Sequence, residues 1–375
     1  MNIARNESGV IALMLTIIAV LCCCSNCVAE NFTQAVPDYS WRFPADHGQH
    51  PAYKTEWWYY TGHLYNEGDV VFKDKPAYGF QLTFFRRSNS EVESAPSEFM
   101  AHAALTDLKT GITHFSSRLG GGAIGISSVA SESLNASSGD WTVDSIGDQL
   151  VLRFSVRGDS TVAPISIRIL TATLPTPWLQ GKQGFSKKAT CTGCASMYYS
   201  MPRISLEAIV SEGSTVLRRL HGLAWMDHEF MSNSLADAQV GWDWLGLMLK
   251  DGRSVMLFHL RSKDNARAFA SGGVLRGEDE KVLEEKDFSL TPISYWRSES
   301  SGARYPTSWR LQIPSEAIDI ILTARTNHCE VGFDSHTSAD SSVPLHYWEG
   351  PVASDDESVM GYLEMTGYAG KISGL

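Results

Sequence analysis

A period-two alternation of apolar and polar residues constrains the fold of this chain more than any other feature of its sequence. In 149–157 the apolar residues Leu150, Leu152 and Phe154 alternate with polar ones, and 165–169 repeats the pattern. Such runs, bounded by Gly, Pro, Asn and Ser, are typical of half-buried antiparallel strands. Long amphipathic helical patterns are scarce by comparison. The sequence therefore predicts an all-β protein whose length suits two sandwiches or barrels.

The division between the two predicted domains carries a weaker signal. The stretch 180–195 is polar and glycine-rich, but we interpret it as a loop within the first half, and 211–215 resembles a hairpin turn. We place the boundary near 210–220. This gives an N-terminal domain over 30–215 and a C-terminal domain over 216–375.

The segment 1–29 is predicted to be a signal peptide rather than part of the fold. Arg5 precedes an apolar run over 11–21, and small residues at the −3 and −1 positions favour cleavage after Ala29. The alternative, an uncleaved membrane anchor, needs about 20 apolar residues, and this run is shorter. Cysteines beside the run raise lipoprotein anchoring as a minor alternative, but the usual Leu-small-small-Cys pattern is missing. We expect a mature protein that is periplasmic or secreted.

Removal of the signal peptide leaves three cysteines, at positions 191, 194 and 329. Cys191 and Cys194 form a C-x-x-C motif, but no helix of the thioredoxin type follows it, and no second such motif completes a zinc site. An oxidising compartment favours a disulfide between Cys191 and Cys194 that closes a local loop. Cys329 is then expected to be free or buried.

The charge balance and the missing motifs exclude several classes of function. Lys and Arg number 31 against 42 Asp and Glu, a net charge of −11. This acidity argues against nucleic acid as a partner, because phosphate binding needs a basic surface. The sequence contains neither a G-x-S-x-G nucleophile elbow nor a glycine loop of the phosphate-binding kind. We expect no cofactor.

The segment 54–64 combines four adjacent aromatic residues with a carboxylate. In a regular strand, Glu56, Trp58 and Tyr60 share one face, and Trp57 lies on the other. One core face does not need this many rings, so we expect one face to pack and the other to line a cavity. Glu56 is interpreted either as the partner of a Lys or Arg or as a group of raised pKa suited to proton transfer.

A second aromatic and acidic segment runs from Trp225 to Phe230. Along a strand, Trp225, Asp227 and Glu229 share one face, while His228 and Phe230 share the other. This alternation places His228 opposite both acids, so the three cannot chelate a metal ion as a unit. We therefore predict no metal site.

A third such segment, 241–246, places Trp242 and Trp244 on either side of Asp243. An ionised carboxylate cannot stay buried alone, so we expect the acids of all three segments to converge on one pocket. The predicted catalytic residues are Glu56, Asp227, His228 and Asp243. The predicted ligand-binding residues are Trp57, Trp58, Tyr60, Trp225, Glu229, Phe230, Trp242 and Trp244.

Motifs spread in order along most of the chain resemble those of a known family. They are Thr55-Glu-Trp-Trp-Tyr59, Gly184-Phe-Ser-Lys-Lys188, Ala195-Ser-Met-Tyr-Tyr-Ser200, Pro202-Arg203, Trp225-Met-Asp-His-Glu-Phe230, Gly241-Trp-Asp-Trp244, Tyr305-Pro-Thr-Ser-Trp309, Tyr347-Trp-Glu-Gly350 and Gly361-Tyr-Leu-Glu-Met-Thr-Gly-Tyr368. The chain is similar to the lipocalin-like AttH / hydroxyneurosporene synthase (carotenoid 1,2-hydratase) superfamily. It resembles the secreted branch, often labelled predicted hydrolases, more than the pigment enzymes.

The resemblance implies two lipocalin-like antiparallel β-barrel domains packed together. It also implies cofactor-free addition of water to a polyene double bond, by protonation and capture of a carbocation; related fungal members catalyse cyclisations. The hydratases' His and aromatic pair would fall on His228 and Phe230. Phe230 stands where Trp is usual, which removes an indole N–H and part of a ring face and argues against carotenoid hydration itself. The C-x-x-C loop is a second departure from the family pattern.

The sequence leaves two classes of function open. In the first, the protein is an acid–base enzyme, hydratase-like or hydrolase-like, that acts on a hydrophobic lipid or terpenoid. In the second, the same cavity carries such a molecule, and the protein serves an ABC-type transporter, as the family resemblance implies. A converted ligand would favour the enzyme, and a retained, unmodified one would favour the carrier.

Overall fold

The computed structural model describes residues 32–88, 97–121, 127–157, 163–233, 235–236, 238–264, 267–332 and 346–371. The predicted signal peptide lies outside these residues. Within the described ranges, no helix has the length and the apolar character needed to cross a membrane.

The first half of the chain forms a 13-stranded antiparallel sheet that nearly closes into a barrel. Along the sheet the strand order is β4-β3-β2-β1-β13-β12-β9-β8-β7-β6-β5, and β10 and β11 both pair with β12. The strands are β1 (Thr55–Asn66), β2 (Tyr78–Arg87), β3 (Glu98–Asp107), β4 (Ile112–Gly121), β5 (Ser127–Val129), β6 (Ala136–Ser138), β7 (Trp141–Ile146), β8 (Gln149–Val156), β9 (Ile165–Thr171), β10 (Trp178–Leu179), β11 (Phe185–Lys187), β12 (Ala195–Glu212) and β13 (Thr215–Met231).

The second half forms a 10-stranded antiparallel sheet, a half-barrel, in the order β17-β16-β15-β14-β23-β22-β20-β19-β18, with β21 paired to β22. Its strands are β14 (Gln239–Leu249), β15 (Ser254–Ser262), β16 (Arg267–Arg276), β17 (Asp279–Glu284), β18 (Ser289–Arg297), β19 (Arg304–Ile313), β20 (Ile318–Ala324), β21 (Glu330–Gly332), β22 (His346–Ala353) and β23 (Val359–Met365). Among the described residues, short 3-10 turns occur at Ala45–His47, Glu285–Asp287 and Pro314–Glu316. The all-β prediction is confirmed, with one nearly closed barrel and one half-barrel.

The alternation that predicted the strands also accounts for the two cores. In β8, Leu150, Leu152 and Phe154 are buried in the first barrel, whereas Arg153 between them is exposed. In β19, Trp309 and its alternate neighbours are buried in the core of the half-barrel. Each fully buried large apolar side chain contributes about 1.5–3 kcal/mol to folding, so these two cores stabilise the two sheets separately.

The chain passes from the first sheet to the second between Met231 and Gln239. The sequence instead placed the domain boundary at 215/216. The turn at 211–215 is a hairpin as expected, with Glu212 paired to Thr215, but it joins β12 to β13 inside the first sheet. A polar turn marks the end of a strand, and it does not show which sheet the next strand joins.

The structure joins Cys191 and Cys194 by a disulfide with a Cα–Cα distance of 5.4 Å, and Cys329 is free and buried. In an unreduced, denatured protein that is produced from Glu30 onward, we expect a thiol reagent to label only Cys329. Mass spectrometry of the labelled protein checks this, and prior reduction should add the other two thiols. Three labelled cysteines without reduction would exclude the bridge.

Candidate functional site

The register of β1 against β13 sorts the predicted site residues onto two faces of the first sheet. Trp58 lies opposite His228, and Tyr59 lies opposite Asp227, and opposed residues share a face. Trp58 packs in the core of the first barrel, whereas the ring of Tyr59 packs edge-on against Trp244 of the second sheet at 5.3 Å. We call the barrel side the inner face and the side toward the second sheet the outer face.

The outer face forms one wall of a cleft, and strands β14, β15, β22 and β23 form the opposite wall. Aromatic side chains from both walls line it, including Trp57, Tyr59, Tyr198, Trp242, Trp244 and Tyr347. Four carboxylic acids of the described residues also face it: Asp227, Glu229, Glu349 and Glu364. A concave, mostly apolar site with a few converging polar groups is the usual form of a small-molecule site.

Asp227 is the acid held by the largest number of hydrogen bonds in the cleft. Its carboxylate accepts hydrogen bonds from Tyr198 Oη at 2.7 Å, Ser200 Oγ at 2.5 Å and Trp225 Nε1 at 2.7 Å. Tyr198 Oη in turn accepts one from Trp244 Nε1 at 3.0 Å. Burial raises the pKa of Asp227 to about 7, although the hydrogen bonds from Ser200 and Tyr198 oppose the shift. A buried carboxyl of this kind can gain or lose a proton near neutral pH.

Glu349 and Glu364 form a carboxyl pair on the opposite wall. They lie directly opposite each other on β22 and β23, and Trp242 Nε1 donates a hydrogen bond to Glu364 at 2.8 Å. Burial raises the pKa of Glu364 to about 7, and the charge of Asp227 adds to the shift. Burial, followed by the charge of Glu364, raises the pKa of Glu349 well above its ordinary value. The pair therefore retains at least one proton at neutral pH.

Tyrosine hydroxyls lie beside this pair: hydrogen bonds from Tyr59 and Tyr347 to the Glu349 carboxyl partly offset the rise in its pKa. Glu349 and Tyr59 line the cleft and are buried, with 4% and 7% of their surface exposed.

Lys188 supplies the positive charge in the cleft. Its ammonium lies 2.5 Å from Glu229 Oε1, which also accepts a hydrogen bond from Ser196. The same ammonium lies over the rings of Phe258 and Tyr198, 4.2 Å and 5.1 Å from their centroids. Lys188 is therefore neutralised by Glu229, and the three other acids of the cleft have no ion-pair partner among the described residues.

A second polar cluster surrounds Glu56 on the inner face, where the carboxylate is fully buried. Arg86 Nε donates to Glu56 Oε2 at 3.0 Å, while His228 Nε2 and His50 Nδ1 lie 2.9 Å and 2.7 Å from Oε1. Arg86 Nη2 also donates to the carbonyls of His50 and Tyr53. Every charge in this cluster therefore has partners, so removal of one member would leave another charge buried and uncompensated.

The charges of this network keep Glu56 and His50 ionised, whereas burial lowers the pKa of His228. Burial alone would raise the pKa of Glu56, but the charge of His50 and the hydrogen bond from His228 bring it well below the ordinary value. Burial opposes protonation of His50, but the charges and hydrogen bonds of Glu56 and Asp46 together outweigh it and raise the pKa of His50 to about 9. The donor atoms of His50, Glu56 and His228 lie within 4.8 Å of one another, a spacing that could hold a metal ion. The adjacent guanidinium of Arg86 already supplies the positive charge, so this geometry favours the salt-bridge network.

Asp243 lies apart from the acids of the cleft and from the network around Glu56. It points into the half-barrel, whereas its neighbours Trp242 and Trp244 point into the cleft. It accepts a hydrogen bond from Tyr368 at 2.9 Å and lies 3.3 Å from Arg261 Nε. Burial raises the pKa of Asp243 to about 6, and the charge of Arg261 opposes the shift.

The four predicted catalytic residues thus occupy three places rather than one pocket. Glu56 and His228 share the inner-face network, Asp227 lies in the cleft, and Asp243 lies in the half-barrel. The reason is the two-residue period of a strand: Asp227 and His228 are neighbours in sequence and must point to opposite faces.

The predicted ligand-binding residues divide in the same way. Trp57, Glu229, Trp242 and Trp244 line the cleft, and Trp225 supports it through its bond to Asp227. By contrast, Trp58, Tyr60 and Phe230 are buried on the inner face.

Sequence reasoning did not select Tyr198, Lys188, Glu349 or Glu364 as site residues. Glu349 directly follows Trp348 and Glu364 lies two residues after Tyr362, so both are acids within aromatic strands, as Glu56 is. The sequence thus contained the pattern. It did not show that β22 pairs with β23 or that both strands approach the first sheet.

Comparison with known proteins assigns the chain to a family. The model of a family described as AttH-like matches residues 34–368. A crystal structure described as AttH from Nitrosomonas europaea is 28% identical, with a TM-score of 0.76, and the match covers 90% of this chain and 99% of that one. Kievitone hydratase from Nectria haematococca shares the fold at 13% identity and a TM-score of 0.56, over 90% of this chain and 94% of that one. No curated protein matches the sequence.

Proposed function

The chain belongs to the AttH-like family, and from this premise we propose that it is a cofactor-free acid–base enzyme that adds water to a double bond of a hydrophobic substrate. The observation that carries the proposal is the cleft, where Asp227, Glu349 and Glu364 have raised pKa values among aromatic side chains. Carboxyl groups that change protonation near neutral pH are the groups that general acid–base catalysis needs.

The arrangement supports a division of roles between the two walls. The Glu349–Glu364 pair donates a proton to one carbon of the double bond, which leaves a positive charge on the other carbon. The aromatic rings of the cleft stabilise that charge. A water molecule then bonds to the cationic carbon and gives a proton to ionised Asp227. Transfer of this proton through solvent back to the glutamates restores the starting state, so the net reaction is addition of one water.

Hydration is preferred to hydrolysis for two reasons. A protein of the same fold is named a hydratase, and the cleft holds no Ser, His and Asp arrangement among its described lining residues. We further propose that the substrate is a lipid or terpenoid and that the enzyme acts after export. Export rests on the signal-peptide pattern over 1–29.

Incubation of the purified mature protein with a lipid and terpenoid extract of its source cells, in oxygen-18-labelled water, tests the proposal. A product that gains the mass of one labelled water molecule is the expected result, with heat-denatured protein as the control. Native mass spectrometry of the same sample checks for bound ligand. A lipid that is retained but not modified would contradict the enzyme and favour the carrier, accessory to an ABC-type transporter.

The rate of hydration is expected to follow a bell-shaped pH profile. It should rise as the pH increases through about 7, because Asp227 must lose its proton to act as base. It should fall at higher pH, when the Glu349–Glu364 pair loses the proton it must donate. Initial rates measured between about pH 5 and 10 define the profile. A rate that is independent of pH across this range would exclude both roles.

A further inference from the structure

We propose that the cleft binds hydrophobic organic cations, in which a protonated amine is attached to an apolar hydrocarbon. The proposal names the ligand class of the same site. It rests on the proposed function because a bound ammonium would occupy the region in which protonation of a double bond creates positive charge.

The first support is the carboxyl pair itself. Glu349 and Glu364 are directly opposite each other on neighbouring strands, an arrangement that is unfavourable when both are ionised. The described residues provide neither acid with an ion-pair partner, since Lys188 is held by Glu229. A cation placed between the two carboxylates would remove the repulsion and supply the missing charge.

The second support is the set of oxygen atoms around the pair. The hydroxyls of Tyr59 and Tyr347 lie within hydrogen-bond reach of the Glu349 carboxyl, and both tyrosines line the cleft. A primary ammonium has three N–H donors and no acceptor, so oxygen atoms of this kind, together with Glu364, can accept all three of its hydrogen bonds. An alcohol has a single donor and carries no charge.

The third support is the way in which the cleft already holds an ammonium. The Nζ atom of Lys188 lies over the rings of Phe258 and Tyr198 and beside a carboxylate. The Glu349–Glu364 pair lies in the same cleft, whose lining also includes Trp242, Trp244 and Tyr347. Aromatic faces combined with carboxylates are the chemistry that recognises organic ammonium ions.

The apolar lining selects an organic cation over a metal ion. Divalent metal ions such as Ca²⁺ and Mg²⁺ require six or more oxygen ligands or ordered waters. The indole and phenol rings cannot supply them. A hydrocarbon chain, by contrast, gains free energy when it leaves water for such walls.

Binding of geranylamine, compared with geraniol and geranic acid, tests the proposal by isothermal titration calorimetry at pH 7. The three probes share one hydrocarbon chain and differ in the charge of the end group. Geranylamine is expected to bind about tenfold or more tightly than geraniol, and geranic acid more weakly than either. Because binding ionises the carboxyl pair, the measured enthalpy should change with the ionisation enthalpy of the buffer.

Variants locate the binding site. Glu349→Gln and Glu364→Gln should each lower the affinity for geranylamine about tenfold, and by more than they change the affinity for geraniol; a thermal melt checks that both variants are folded. Glu278→Gln, which changes an exposed turn residue, is the matched control and should bind both probes like the wild type.

Equal affinity for the amine and the alcohol, or no binding of the amine, would overturn the proposal. So would displacement of the amine by Ca²⁺ or Mg²⁺ in the millimolar range, which would assign the carboxyl pair to a metal. Amine binding in a protein that fails the oxygen-18 assay would support the cation site and contradict hydration. Hydration in that assay without amine binding would support the proposed function and contradict the cation site.

Discussion

Asp227→Asn is expected to lower the rate of hydration by about a hundred- to ten-thousand-fold while leaving the protein folded. The amide has the size of the carboxyl and keeps an oxygen that can accept hydrogen bonds from Ser200 and Trp225. It cannot take a proton from water, and so the base is lost. Initial rates in the oxygen-18 assay and a thermal melt measure the two effects, and the melting temperature should change by less than about 4 °C.

The control for this variant is Asp148→Asn, which makes the same chemical change in an exposed turn. It should have the rate and the melting temperature of the wild type. If Asp227→Asn retains its rate but loses many degrees of melting temperature, Asp227 is a structural residue. If it retains both, the assignment of Asp227 as the base is wrong.

Glu56→Ala is expected to have the largest effect on stability of any single substitution in the first barrel. It removes the carboxylate from Arg86, whose side chain is fully buried, and leaves that guanidinium without its counter-charge. Breaking a buried ion pair in this way costs about 3–5 kcal/mol. Urea unfolding followed by tryptophan fluorescence measures the change in the free energy of unfolding.

An exposed ion pair provides the comparison. Arg153 and Asp144 lie 2.6 Å apart, and each side chain is nearly half exposed. Asp144→Ala should therefore lower the free energy of unfolding by about 0–1 kcal/mol, although its ion pair is shorter than that of Glu56. If the two substitutions cost the same, burial does not govern the strength of the Glu56 network.

The sequence predicted the strands and, within each strand, which residues share a face. Trp225, Asp227 and Glu229 lie on one face of β13 and His228 on the other, as the alternation required. It could not predict which face forms the site. Both faces of β1 and β13 are buried, one inside the barrel and one against the second sheet, so neither carries the polar residues that would mark a solvent-exposed side.

The sequence could not show how Asp227 lies relative to the other acids, because this depends on contacts between segments that are distant in the chain. Glu349 and Glu364 reach the cleft because β22 pairs with β23 and β23 pairs with β14. Single-strand periodicity contains no information about such pairings. The prediction that all the acids share one pocket was wrong for the same reason: it assumed that residues of similar character converge, whereas the register separates Glu56 from Asp227.

The pairing of β1 with β13 also sets the order in which the chain can assemble during synthesis. Thr55 pairs with Met231, so β1, the first strand of its sheet to leave the ribosome, must wait for the last. Until then β1 and β12 are open edges that can pair with other chains. A nascent fragment that ends at 215 lacks β13, the central strand that joins β1 to β12. Chaperone protection of this interval, or secretion in an unfolded state, would therefore matter more for this protein than for a barrel built from consecutive hairpins.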